Sequence, residues 1–150
     1  LKLSAPMLLL CRTNLMIRTY TELSRLTTLE ERYHYLALRG VVGEKTFGWE
    51  RWANQRFYTS YEWKQIRRDV IVRDEGCDLG VEGYDLHEGI IVHHMNPMMA
   101  ADFDQDDPKN RDMEYLISCS LRTHNAIHYG DESQLPRGLI ERRPGDTTLW

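Results

Sequence analysis

The sequence predicts an α+β domain in which helices precede a small β element, and three observations lead there. Residues 20–40 and 60–73 carry apolar side chains at helical spacing behind capping residues. Residues 81–95 are interrupted by Gly83 and Gly89 and end in the apolar run Ile90-Ile91-Val92 before His93-His94, a strand signature. A last helical stretch, Ser120 to Tyr129, is followed by Gly130, the residue type that best closes a helix.

In chain order, residues 1–15 carry Lys2 followed by apolar residues, like a weak signal peptide. They lack a small-x-small cleavage site and are broken by Cys11-Arg12, so they read as a disordered leader or upstream translated sequence. Residues 16–60 form an N-terminal helical extension. Thr28 and Glu31 have capping-box spacing, Leu29, Tyr33, Leu36 and Leu38 make an apolar stripe, and Gly40 ends it. After an irregular connector with a short helix near Trp49–Arg56, Ser60 caps a helix to Arg73 with Trp63, Ile66, Val70 and Ile71 on one face. Asp74 to Gly80 is turn-rich, and 81–95 reads as a β-hairpin ending at His93-His94. A polar loop over 101–114 follows, then a strand-like run from Tyr115 and the last helix. Residues 132–150, with Pro136, Gly138, Pro144 and Gly145, read as an extended tail.

Composition narrows the function classes. The chain has 150 residues, 41% hydrophobic and 28% charged, as expected of one globular domain. Met7 to Cys11 is far short of the roughly 20 apolar residues of a bilayer span. Three cysteines without C-x-x-C spacing exclude a four-cysteine zinc site and suggest a reducing compartment. A net charge of −4 argues against bulk attraction to nucleic acid, though not against a local basic face.

The histidines carry the chemistry. Of six, five (His87, His93, His94, His124 and His128) lie between positions 87 and 128. His124 and His128 are four apart on a helix, about 5–6 Å between Cβ atoms, a spacing at which two imidazoles reach one metal ion. A hydrogen-bonded surface pair is the competing explanation. His93 and His94 are neighbours on a strand and face opposite ways. One of them can ligate while the other addresses a substrate, or both are satisfied strand histidines.

The ordered set His93-His94-Met95-Asn96-Pro97, Asn110, and His124-Asn125 resembles the HNH endonuclease family, and its flanks resemble small bacteriophage-type members. The resemblance covers residues 61–131 and implies a ββα-metal, treble-clef-like nuclease core behind the N-terminal helices. Many members hold a structural zinc with two C-x-x-C pairs. Here Cys77/Gly80 and Ser120/Thr123 stand at those places, so the core lacks the zinc cysteines and must be tied by apolar packing. Leu79, Ile91, Leu116, Ile117 and Ile127 are the candidates for that packing.

The resemblance further implies that His94 is the general base, and that His93, His124 and His128 hold one divalent cation as in the three-histidine, colicin-type members. Asn110 is then a catalytic-site residue that orients His94. Four imidazoles are expected to converge there. Three nitrogen ligands favour Mn²⁺, Ni²⁺, Co²⁺ or Zn²⁺ over Mg²⁺, with Mg²⁺ a candidate through abundance. His87 and Asn125 are candidates for outer supporting contacts. A neutral imidazole can take a proton from water at pH 7, and a cation can absorb charge on the phosphate.

For DNA, residues 49–73 hold six basic and three acidic side chains, and Lys64, Arg67, Arg68 and Arg73 form the candidate phosphate-binding face. The aromatic residues Trp49, Trp52, Phe57, Tyr58 and Trp63 read as core. Sequence specificity is expected to be weak, since no recognition helix or minor-groove arm is evident. The acidic loop 101–114 conflicts with a nearby phosphate unless it faces away or Asp102 or Asp104 recruits the metal.

Phage relatives imply the bacterial host cytoplasm as location and the terminase as a packaging partner, with homing-like mobility as the other role. A homodimer would allow double-strand cutting. The alternatives are a non-catalytic DNA-binding or packaging accessory that retains the fold, and a module whose metal is purely structural.

Overall fold

A computed structural model describes residues 16–38, 51–81, 84–97 and 107–135. The readings made for the leader 1–15, Gly40, Trp49, Asp102, Asp104 and the tail beyond Leu135 lie outside these residues. The chain is α+β. Helical turn α1 spans Tyr20–Leu23 and helix α2 Leu29–Leu36, with α3 at Arg51–Thr59 and α4 at Tyr61–Arg73. Strands follow at β1 Cys77–Asp78, β2 Tyr84–Asp85 and β3 Ile91–His94. Helical turn α5 (Pro108–Arg111), strand β4 (Leu116–Cys119) and helix α6 (Leu121–Tyr129) complete it, with 3-10 turns at Met113–Tyr115 and Glu132–Gln134. Among the described residues no helix is long and apolar enough to cross a membrane.

The predicted helix over 20–40 divides in two, the first turn ending at Leu23 with Ser24 as its cap and Thr28 starting the next helix. The Thr28 hydroxyl accepts from the Glu31 amide while the Glu31 carboxylate accepts from the Thr28 amide, a complete capping box. Ser60 accepts from the Trp63 amide and starts α4, and Ser120 accepts from the Thr123 amide and starts α6. Gly130 ends α6 at φ +71°, a conformation that costs other residues a Cβ clash.

The strands pair differently from the expected hairpin over 81–95. β2 turns back onto β1, whereas β3 pairs antiparallel with the distant β4, His93 opposite Ile117 and His94 opposite Leu116. The cause is apolar matching. β4 is buried along its whole length, and the Ile91-Val92 run offers it an apolar partner. A hairpin thus encloses the loop carrying Asn110 and leads directly into α6.

The β3–β4 sheet is covered on both faces. On one, Val92 and Leu116 pack with Trp63 and Val70 of α4. On the other, Ile117 and Met95 meet Ile127 of α6 and Leu23 and Leu36 of α1 and α2. The N-terminal helices therefore complete the core.

Packing of apolar side chains is only part of the tie between hairpin and helix. Buried Asp78 accepts from the Gly80 amide at 3.0 Å, the Ser120 amide at 3.0 Å and the Thr123 hydroxyl at 2.6 Å. A Cβ on Gly80 would lie 2.4 Å from Thr123 Cγ2, so only glycine fits this close approach. The three zinc positions that carry no cysteine, Gly80, Ser120 and Thr123, thus join Asp78 in a hydrogen-bonded clasp at the start of α6.

Candidate metal centre

Strand alternation decides where each histidine goes. His93 leaves β3 on the α6 side and is 3% exposed. His124 and His128 stand one turn apart on α6, and their rings lie 5.1 and 5.0 Å from that of His93 and 4.3 Å from each other, centroid to centroid. One nitrogen from each of the three lies within 4.8 Å of the other two. Among the described residues this is the one group with metal-ligand proximity.

Part of the hydrogen-bonding potential of this cluster is unspent. His93 Nε2 and His124 Nδ1 are buried without a hydrogen-bond partner, which ordinarily costs a folded protein about 1–3 kcal/mol per group. Burial and the neighbouring His128 and His124 hold the His93 pKa well below the usual histidine range. Burial lowers His124 as well, and burial followed by the proximity of His124 lowers His128 to about 4. All three are neutral at pH 7 and offer lone pairs. Two orphaned buried nitrogens within a cluster of neutral imidazoles fit a divalent cation that accepts nitrogen ligands.

His94 does not join them. It leaves the same strand on the α4 side, where its ring stacks on the Trp63 indole at 5.2 Å and 13°. Phe57 and Tyr58, at the end of α3, stand 6.3 and 6.2 Å away at steeper angles. Its Nε2 meets the main-chain carbonyl of Asn110 at 3.2 Å. Because a carbonyl only accepts, Nε2 carries the proton and Nδ1 keeps the lone pair. Burial pushes the His94 pKa down to about 4, opposed by the bond to Asn110.

Asn110 is 2% exposed in α5. The turn begins at Asp107, whose carboxylate accepts from the Lys109 amide, and Pro108 presets its first position. The acidic residues of the loop that are described include one local cap and one long-range tie to the start of the chain. Asp112 caps the 3-10 turn, and Glu114 accepts from the Thr21 amide at 2.9 Å.

The expected convergence of four imidazoles is therefore corrected to three, with the fourth on the opposite face of β3. The basic face is corrected as well. Lys64, Arg67 and Arg68 are exposed on α4, Arg67 also donating to the Ile90 carbonyl at 2.7 Å. Arg73 is spent on the interior. It pairs with buried Asp74 at 2.7 Å, donates to the carbonyls of Met113 and Leu116, and lies over the Tyr20 ring. His87 is exposed and Asn125 half-buried.

Sequence reasoning missed the aromatic surroundings of His94 and the Asp78 clasp. Phe57, Tyr58 and Trp63 read as core in the sequence; Trp63 is 5% exposed and Phe57 half-buried, whereas Tyr58 is 42% exposed, which corrects that reading for it. No spacing rule links position 63 to position 94. The chain has no significant match among protein families, curated proteins or solved structures.

Proposed function

We propose that this protein is a metal-dependent DNA endonuclease of the HNH type with a ββα-metal core, using His94 as general base. The observation that carries the reading is the split of adjacent histidines. His93 joins a three-imidazole cluster on one face of β3, while the carbonyl of Asn110 fixes His94 on the other. The second edge of β3 pairs with no other described strand, so a phosphodiester lying across that edge can address both faces.

His93, His124 and His128 would hold the cation. Lewis acidity toward the phosphoryl oxygen and the departing 3′ oxygen is the chemistry it supplies when bound. The remaining work falls to the chain itself. Nδ1 of His94 takes a proton from water as the water oxygen bonds to phosphorus. The P–O3′ bond breaks, and solvent protonates the 3′ oxygen. A pKa near 4 makes His94 a weak base in isolation, but an adjacent phosphodiester anion favours the imidazolium and raises it toward the working range. Asn110 positions His94 through its main-chain carbonyl. Lys64, Arg67 and Arg68 supply phosphate contacts that carry no sequence information.

Supercoiled plasmid with Mn²⁺ tests the assignment. His94→Ala should lower nicking by about 10²–10⁴-fold, the usual worth of a general base, with metal affinity almost unchanged. His124→Ala should lose both. Equal loss of metal affinity in the two variants would overturn the division of roles. Wild-type protein that binds metal and DNA without cutting would favour the accessory-protein reading.

A further inference from the structure

The packing around His94 comes from outside the hairpin and its following helix. Trp63 sits in the first turn of α4, and its indole lies nearly parallel to the His94 imidazole. The indole is itself wedged. Phe57 lies 5.1 Å from Trp63 at 42°, and Tyr58 meets it edge-on at 5.2 Å and 81°. Arg111, next to Asn110, stands 6.0 Å over the other ring, Phe57, and its Nε pairs with Glu62 at 3.3 Å. The turn that supplies the Asn110 carbonyl and the helix that supplies the indole are thereby joined through the Arg111–Glu62 pair.

A single hydrogen bond to a carbonyl fixes one nitrogen of an imidazole but leaves the ring free to swing about that contact. A parallel aromatic face removes the swing. We infer that Trp63, held by Phe57 and Tyr58, is a positioning residue for His94, fixing its ring plane so that the proton stays on Nε2 against Asn110. This rests on the nuclease reading for its consequence in catalysis, though not for its geometry. Misplacement of a reacting group by about 1 Å can cost on the order of 10²-fold, and the whole contribution of the base sets the ceiling.

The test uses the full chain with Mn²⁺ and supercoiled plasmid, together with ¹⁵N-edited spectra of the histidine rings at one neutral pH. Trp63→Met keeps apolar bulk and loses the flat face, whereas Trp63→Phe restores one. With Trp63→Met, kcat should fall about 10–100-fold, with KM and metal affinity changed by less than about twofold. The His94 nitrogen shifts should move from one Nε2–H form to a mixture. Trp63→Phe should recover both. Should Trp63→Met fail to fold, Phe57→Leu, which loosens the indole from behind, takes its place with the same expected pattern.

If Trp63→Met keeps a pure Nε2–H tautomer and full kcat while losing only stability, the positioning role is overturned and the nuclease reading stands. If His94→Ala cuts as well as wild type, the nuclease reading fails. The tautomer shift in Trp63→Met then still decides whether the indole holds the ring.

Discussion

His93 and His94 are chain neighbours with the same side chain, yet the molecule treats them in opposite ways. The His93 side keeps unspent polarity, with three neutral imidazoles and two buried nitrogens that bond to nothing in the protein. The His94 side is built from spent polarity and dense packing, with one nitrogen on a carbonyl and an indole against the ring. A strand period of two produces the division without any difference in residue type. A cluster that leaves its lone pairs unsatisfied has an energetic reason to take a cation. A ring held in one tautomer has a defined proton acceptor.

The largest effect should come from breaking the His93 side. Loss of even an outer contact to a metal ligand typically costs about 10–100-fold in affinity, so His93→Ala should weaken Mn²⁺ or Zn²⁺ binding by about 100-fold or more. Calorimetric titration checks this. His94→Ala, measured alongside, should change affinity by less than about threefold. Similar losses in both would mean that the two faces of β3 are not separate.

Acid should affect both sides, because the pKa values of His93, His94, His124 and His128 are all lowered in the folded chain. Between pH 6.5 and about 4 the unfolded chain binds protons that the folded chain refuses, so stability is full above this window and is lost as pH falls through it. For His94, a shift from 6.5 to about 4 corresponds to on the order of 3 kcal/mol as an upper bound. Urea midpoints of the metal-free protein should therefore drop steeply below pH 6.5. His94→Phe should flatten that limb, since an apolar ring fills the space and does not titrate. A midpoint unchanged down to pH 4.5 would contradict the burial of these rings.

The unequal legibility of the two sides has a physical origin. The helix spacing of His124 and His128 is a local rule, and strand alternation after Val92 separates His93 from His94 by another, but that His93 is the one to join the helix pair was implied only by the family resemblance. Capping at Thr28, Ser60 and Ser120 is equally local. The β3–β4 pairing was not, because it joins residues that lie more than twenty positions apart and depends on which apolar runs match. Trp63 against His94 and Asp78 against Thr123 are likewise tertiary contacts. Neither residue type declares its partner. Arg73 misled for the same reason, since a basic side chain at the end of a helix looks solvated until Asp74 and two carbonyls are found around it.

The clasp gives a smaller effect that should fall on one side only. Thr123 donates to the buried Asp78 carboxylate at 2.6 Å and lies one residue before His124. Thr123→Val removes that hydroxyl and leaves the carboxylate short of a donor, at a cost of about 1.5–3 kcal/mol. Thr123→Ser should retain most of the stability. Because the clasp fixes the start of α6, metal affinity should fall several-fold in Thr123→Val while the His94 ring spectrum stays that of wild type. A change at His94 of equal size would show that the two sides share more structure than β3.

The smallest effect concerns phosphate contacts, and it separates solvated charge from structural charge on one helix. Lys64 and Arg68 are exposed, Arg68 paired only with its neighbour Asp69 at 3.3 Å, an arrangement of little energetic weight. Lys64→Ala and Arg68→Ala should each weaken DNA binding alike for all sequences and reduce the salt slope by about 1, with no change in thermal midpoint. Arg73→Ala should do the reverse. It strips Asp74 of its cation and Met113 and Leu116 of a donor, so stability falls while the salt slope of any folded fraction stays that of wild type. Slopes that respond to Arg73 and ignore Lys64 and Arg68 would move the DNA to the face where α1 meets the hairpin and away from the exposed side of α4.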